Sequence, residues 1–173
     1  MKRDIQRALD EVEMTYEELN QVAVEMTSSI FEDINKTIKS INTDALFSLS
    51  NDALRELMLK LSLMSYSLAD IKDKASMKNN CAETIKKIKY AEQFNCTDGS
   101  VAFRENSALI NSSEEVLTEL VYDLVSSLFK TKLDEIHRIV DVLKTILMSK
   151  MQEIKMVQNL SVGEVGETTY LKE

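Results

Sequence analysis

The chain has 173 residues and a formal charge of −8, with 44% apolar residues, 6% aromatic residues, no Trp, no Pro and three Gly. That length fits one domain, and so few turn formers argue against a sheet, whose many reversals call for glycine and proline. The acidic sum argues against coating nucleic acid through bulk charge, although a local patch counts for more than the total.

Leu, Ile, Val and Met supply the apolar atoms, and Glu and Lys much of the surface, which is the composition of long helices or a coiled coil. The N-terminal residues are charged, with no signal-type apolar run after them. No apolar stretch approaches the ~18–20 residues of a membrane span. These features predict a soluble, cytoplasmic protein without a membrane partner. Cys81 and Cys96 fall on one predicted helix, about 22 Å apart along its axis. A disulfide needs Cα atoms within about 7 Å, so both cysteines are expected to be reduced. With His137 the single histidine, no metal ligand set is expected.

In chain order, residues 5–30 carry a 4–3 apolar repeat: Ile5, Leu9, Val12, Tyr16, Leu19, Ala23, Met26 and Ile30. This is a heptad seam. It stretches through Ile34, Ile38 and Ile41, a stutter that lets the seam drift. A corner follows at 43–51, "TDALFSLSN", where Thr43, Asp44, Ser50 and Asn51 are candidate N-caps and Leu46, Phe47 and Leu49 are expected to pack.

A second helix is predicted over about 51–94, with Leu54, Leu57, Leu61, Met64, Leu68, Ile71, Ala75, Lys78, Ala82 and Ile85 as its seam. From Ala75 onward the seam predicts either loose packing or close approach through alanines. Thr97, Asp98 and Gly99 supply a turn, and Ser100 can cap a short helix, "VAFRENSALI". Ser112 and Glu115 fit a capping box before a third long helix over 113–158. That helix has one phase at Leu117, Val121, Leu124 and Leu128, and another at Leu133, Ile136, Val140, Leu143, Leu147 and Ile154.

The expected fold is therefore all-α: an elongated antiparallel bundle or coiled coil of about three long helices. One domain spans 1–158, and 159–173 is a flexible tail with the other two glycines. Gly99 marks the second reversal. Val116, Val125, Phe129, Ile139 and Ile146 fall outside the seam of the last helix, and this surplus predicts a homo-oligomer.

The stretch from "YAEQFNCTDGSVAFRENSALI" to "KTKLDEIHRIVDVLKTIL" resembles a class of small helical bacteriophage proteins, the UvsY-type recombination mediators. The resemblance spans about 80–155. It is carried by Lys86, Lys87 and Lys89 before the turn, by Gly99, Ser100, Val101, Ala102, Arg104 and Glu105 in it, and by Tyr122, Lys130 and Lys132 after it. It implies single-stranded DNA binding, recombinase loading and assembly into oligomers.

Two charge patterns fit a binding protein. Residues 72–92 carry six lysines (Lys72, Lys74, Lys78, Lys86, Lys87, Lys89) against Asp73, Glu83 and Glu92, a net +3. A hairpin about Gly99 would bring Lys130 and Lys132 opposite, forming with Arg104 a phosphate-binding patch. Tyr90, Phe94 and Phe103 could stack on bases. Solvated, locally balanced helix faces would look the same. Asp4, Glu11, Glu18, Glu25 and Glu32 recur every seven residues on the first helix. This carboxylate ruler would dock a basic protein, for instance the nucleic-acid channel of a nuclease in the manner of a phage-encoded inhibitor or adaptor. A solvated coiled-coil face, in a purely structural scaffold, is the plainer alternative. Catalysis has little support. His137 has Asp134, Arg138 and Asp141 nearby, with an ion pair to Asp141 plausible at i,i+4, but no phosphate loop or nucleophile motif accompanies it. No enzyme activity, cofactor or small-molecule substrate is expected.

Overall fold

The computed structural model describes the backbone of residues 2–167 and the side chains of residues 10, 12–42 and 45–157. Among the described residues the chain is an all-helical bundle. Helix α1 spans Lys2–Lys39, a 3₁₀ segment Thr43–Ser48, α2 Asn51–Cys96, α3 Val101–Asn111 and α4 Ser113–Glu167. No described helix is long and apolar enough to cross a membrane. Cys81 and Cys96 are free and exposed.

Helix α2 starts where the corner supplies a cap: Ser50 Oγ accepts a hydrogen bond from the Ala53 amide at 3.1 Å. Its buried residues are Leu54, Leu61, Leu68, Ala75 and Ala82, one per heptad. Leu57, Met64 and Ile71 are half-buried between them, whereas Lys78 and Ile85 are exposed. The far half of α2 thus packs through its alanines. Each fully buried leucine contributes about 1.5–3 kcal/mol.

That stripe faces α4, the central element, which also carries α1. Lys86 pairs with Glu119, Asn79 Nδ2 lies 3.4 Å from Asp123 Oδ1, and Lys150 Nζ donates to the Leu49 carbonyl. Partners on α4 therefore run backwards as α2 runs forwards. Helix α1 is tied on by Lys132 Nζ, 2.9 Å from Asn35 Oδ1, and by Phe31 and Phe129, packed edge to face at 5.3 Å.

The two-sided role of α4 corrects one expectation. Val125, Phe129 and Ile146 are buried, and Val116 and Ile139 half-buried, because α4 needs one stripe for α2 and another for α1. Val125, Phe129 and Ile146 belong to the core and Ile139 packs against it, so these four are not surplus apolar surface. On α1 the buried residues are Ala23, Thr27, Phe31, Ile34 and Thr37, while Met26, Val12 and Tyr16, expected in the seam, are exposed. From Ala23 to Ile34 the repeat is an 11-residue one, about 3.67 per turn, which suits a nearly straight helix. Thr27 enters the core because its hydroxyl donates to the Ala23 and Val24 carbonyls, each at 3.1 Å.

The corners hold further corrections. Leu46 is buried and Leu49 partly so, but Phe47 points outward. Ser112 forms no capping box: it is buried, and its hydroxyl donates to the Ala108 carbonyl at 2.8 Å, so α3 passes almost directly into α4. α4 continues to Glu167, through Gly163 and Gly166 and past the expected end at 158. Each glycine weakens a helix by about 1 kcal/mol without stopping it as proline would. Residues 168–173 of the expected tail lie outside the described residues.

Gly99 holds the second reversal with φ +129°, and an added Cβ would sit 3.0 Å from Phe103 Cδ1. Gly99→Ala is expected to destabilise the protein by about 1–3 kcal/mol, read as a lowered denaturation midpoint. An unchanged midpoint would contradict the turn geometry.

Candidate functional site

The hairpin tip holds Arg104 with the aromatic residues Tyr90, Phe94 and Phe103, while Lys72, Lys74 and Lys78 lie further back along α2 and Lys132 reaches Asn35 on α1. Ser100 Oγ accepts from the Phe103 amide at 3.3 Å and starts α3. This sets Arg104 against the end of α2, where its Nε donates to the Phe94 carbonyl at 2.9 Å and its guanidinium lies 4.1 Å from the Phe94 ring centre. Tyr90 also stacks with Phe94, centroids 6.4 Å apart. Phe103 stands exposed beside them. Tyr122 lines a groove between α2 and α4 with Lys78, Cys81, Ala82 and Ile85.

The lysines are spread along α2 and α4, and acids accompany them. Lys72 pairs with Asp73 (3.4 Å), Lys74 with Asp70 (2.6 Å), Lys89 with Glu92 (3.6 Å) and Lys132 with Glu135 (2.5 Å). Lys86 pairs across the hairpin with Glu119, both partners well covered. Lys87 and Glu83 share a 2.5 Å contact. That hydrogen bond first, and the charge attraction second, hold the Glu83 carboxyl below its usual range and push Lys87 above its own. Lys78 and Lys130 are exposed without an ion pair among the described residues. Most of the paired acids sit within a turn on the lysine's own helix, and α4 adds Glu119 against Lys86; residues 113–124, which lie against the lysine-bearing part of α2, carry Glu114, Glu115, Glu119 and Asp123 and no base. The net +3 of residues 72–92 and the local pairs within α2 are legible in sequence, while the Lys86–Glu119 pair needs the register between two helices.

The acidic helix behaves differently. Between Arg7 and Lys36 there are eight acids and no base. Glu18, Glu25 and Glu32 fall on the exposed side of α1, with Glu13, Glu17 and Asp33 also exposed. Glu32 pairs with Lys36 at 2.9 Å, and Glu25 accepts from Gln21 Nε2 at 2.8 Å. No lysine or arginine pairs with Glu13, Glu17, Glu18, Glu25 or Asp33 among the described residues. Asp4 and Glu11 lie on α1, their side chains outside the described residues. Met14, Val22, Val24 and Met26 are exposed among these carboxylates. Sequence reading placed Met26 in the core and so missed this mixed acidic and apolar surface.

His137 is exposed, as are Asp134, Arg138 and Asp141. Asp141 contacts Lys144 at 3.0 Å instead of the imidazole, because Lys144 lies one turn further along the same face. Among the described residues no group of three or more His, Cys, Asp or Glu could hold a metal ion. No family model, curated protein or solved structure matches the chain.

Proposed function

We propose that the chain is a non-catalytic binding protein that docks a basic protein surface on the outer face of α1. In this reading α1, α2 and α4 alternate in direction as a three-helix bundle, and α1 is the helix that gives a full face to a partner. The observation that carries it is a contrast in charge satisfaction. The lysines of α2 are mostly paired with acids, whereas Glu13, Glu17, Glu18, Glu25 and Asp33 of α1 have no cationic partner among the described residues. Met14, Val22, Val24 and Met26 are exposed on the same helix and would add apolar contact to a charged docking surface. The basic nucleic-acid channel of a nuclease is one surface of the right chemistry.

The test is a titration against a labelled Lys/Leu amphipathic helical peptide. Binding should be salt-sensitive and should weaken by about tenfold or more, at least 1.4 kcal/mol, in the triple variant Glu18→Lys, Glu25→Lys, Glu32→Lys. The same reversal at Glu114, Glu119 and Asp123 should matter less. Undiminished binding by the α1 variant would contradict the reading.

Nucleic acid is the second reading, that of a recombination-mediator-like protein. One observation favours it: the Tyr90–Phe94 stack with Arg104 and exposed Phe103 is a platform on which bases could stack. Exposed ion pairs such as Lys87–Glu83 are weak enough to yield to phosphate. Under the α1 reading a labelled single strand should show no appreciable binding at low salt. Low-salt binding that fades with added salt and is lost in Phe103→Ala would favour the mediator reading instead.

A further inference from the structure

Helix α1 ends where α4 still runs on. The Ser40 amide donates to the Lys36 carbonyl at 3.0 Å and the Ile41 amide to the Ile38 carbonyl at 3.1 Å, and the chain then bends into the 3₁₀ segment. Between this exit and α4 lies a cleft of about 270 Å³. Ile38 and Ile41 line it from the end of α1, Leu46 from the 3₁₀ segment, and Ile139, Val142 and Leu143 from α4. Leu46 and Leu143 are buried in the core, while Val142 is 54% exposed. Arg138 completes the lining. It is exposed, and it makes no hydrogen bond or ion pair among the described residues. Arg55 bonds Asp52 and Arg104 bonds the Phe94 carbonyl, so Arg138 is the described arginine left without a partner. Its neighbours on α4 do not take it: Asp141 contacts Lys144 at 3.0 Å, and no ion pair links Arg138 to Asp134. An arginine so placed lays its stem along apolar surface and keeps its guanidinium in water.

We propose that this cleft binds a small aliphatic carboxylate, a medium-chain fatty acid, with its tail in the cleft and its carboxylate on Arg138. Every lining side chain except Arg138 is aliphatic. The enclosed part of the ligand must therefore be plain hydrocarbon, because a polar group there would lose its water without gaining a partner. The guanidinium presents a fork of donors that matches a carboxylate with two parallel hydrogen bonds. One arginine balances one negative charge. A phosphate ester or a polyanion would bring more charge than the site neutralises, beside Asp134 and Asp141 and on a chain of formal charge −8. The cleft, at about 270 Å³, lies just below the ~300–1,000 Å³ of sites for drug-sized ligands and suits a chain of about eight carbons. A partner's helix, about 10 Å across, is too wide to enter it. Because α1, the corner and α4 all line the cleft, occupancy should also raise the denaturation midpoint.

Methyl NMR of the chain titrated with octanoate is expected to shift Ile38, Ile41, Ile139 and Val142 and to leave Ile85, in the groove between α2 and α4, where it was. Affinity should rise about fourfold per methylene from hexanoate to octanoate. Octylamine, of the same length and opposite charge, should bind about tenfold or more weakly. Arg138→Gln should weaken octanoate by about tenfold or more and leave octanol binding and the helical circular dichroism unchanged, since Arg138 is exposed and bonds nothing in the fold. Val142→Phe, at an exposed position on the cleft, should weaken octanoate and octanol alike. No methyl shifts at millimolar octanoate, shifts as large at Ile85 as in the cleft, equal binding of octylamine, or undiminished octanoate binding by Arg138→Gln would overturn the proposal. Arg138→Gln keeps every carboxylate of α1, so octanoate binding and peptide docking are read separately.

Discussion

Leu61→Ala should lower the unfolding free energy by about 2–5 kcal/mol. Leu61 is fully buried midway along the α2 stripe, with Leu54 and Leu68 one heptad away on either side and also buried. Two long helices locked together along their length cannot collapse locally into the space left by a leucine, which places the expected loss toward the upper part of that range. Leu63, two residues on, is 61% exposed, and Leu63→Ala should move stability by no more than about 0.5 kcal/mol. Urea unfolding of both variants checks this, with the slope unchanged and only the midpoint of Leu61→Ala displaced. Equal effects would mean that α2 does not present this stripe to α4.

Phe129→Ala should lose about 3–5 kcal/mol, and the loss should be felt most on α1. Phe129 is 2% exposed and meets Phe31 edge to face. Such a pair adds about 0.5–1.5 kcal/mol beyond area burial. The Lys132 ammonium lies 5.6 Å from the Phe31 ring centre and also bonds Asn35, so one short stretch of α4 fastens the C-terminal half of α1. Amide exchange of α1 should accelerate more than that of α2. A double-mutant cycle with Phe31→Ala should return a favourable coupling, since the residues touch. Additive losses would show that the two rings do not act together.

Element existence was readable from the chain because periodicity is a local property. The α2 seam from Leu54 to Ala82 buries as the heptad spacing implies, with alanines closing its far half. The Ser50 cap and the Gly99 reversal stand where residue chemistry put them. What failed was information held by a second helix. Val125, Phe129 and Ile146 look surplus on a helix with one partner and are core on a helix with two. Thr27 looks polar until its hydroxyl is turned back on the helix carbonyls. The lysine-rich stretch 72–92 pairs mostly with acids on α2 itself, which spacing shows, but that Glu119 of α4 takes Lys86 is set by the second helix. The acidic side of α1 was legible because nothing packs over it. The seam continuing past Lys150 to Ile154 was visible as periodicity, but its exposure depends on where α2 begins.

Hydrogen exchange of the chain with and without the Lys/Leu helical peptide tests the docking of a basic partner on α1 most directly. The account predicts added protection concentrated in residues 12–33, diminished by Glu18→Lys, Glu25→Lys, Glu32→Lys. Protection centred on residues 72–105 instead, or none under conditions where the peptide binds, would contradict it.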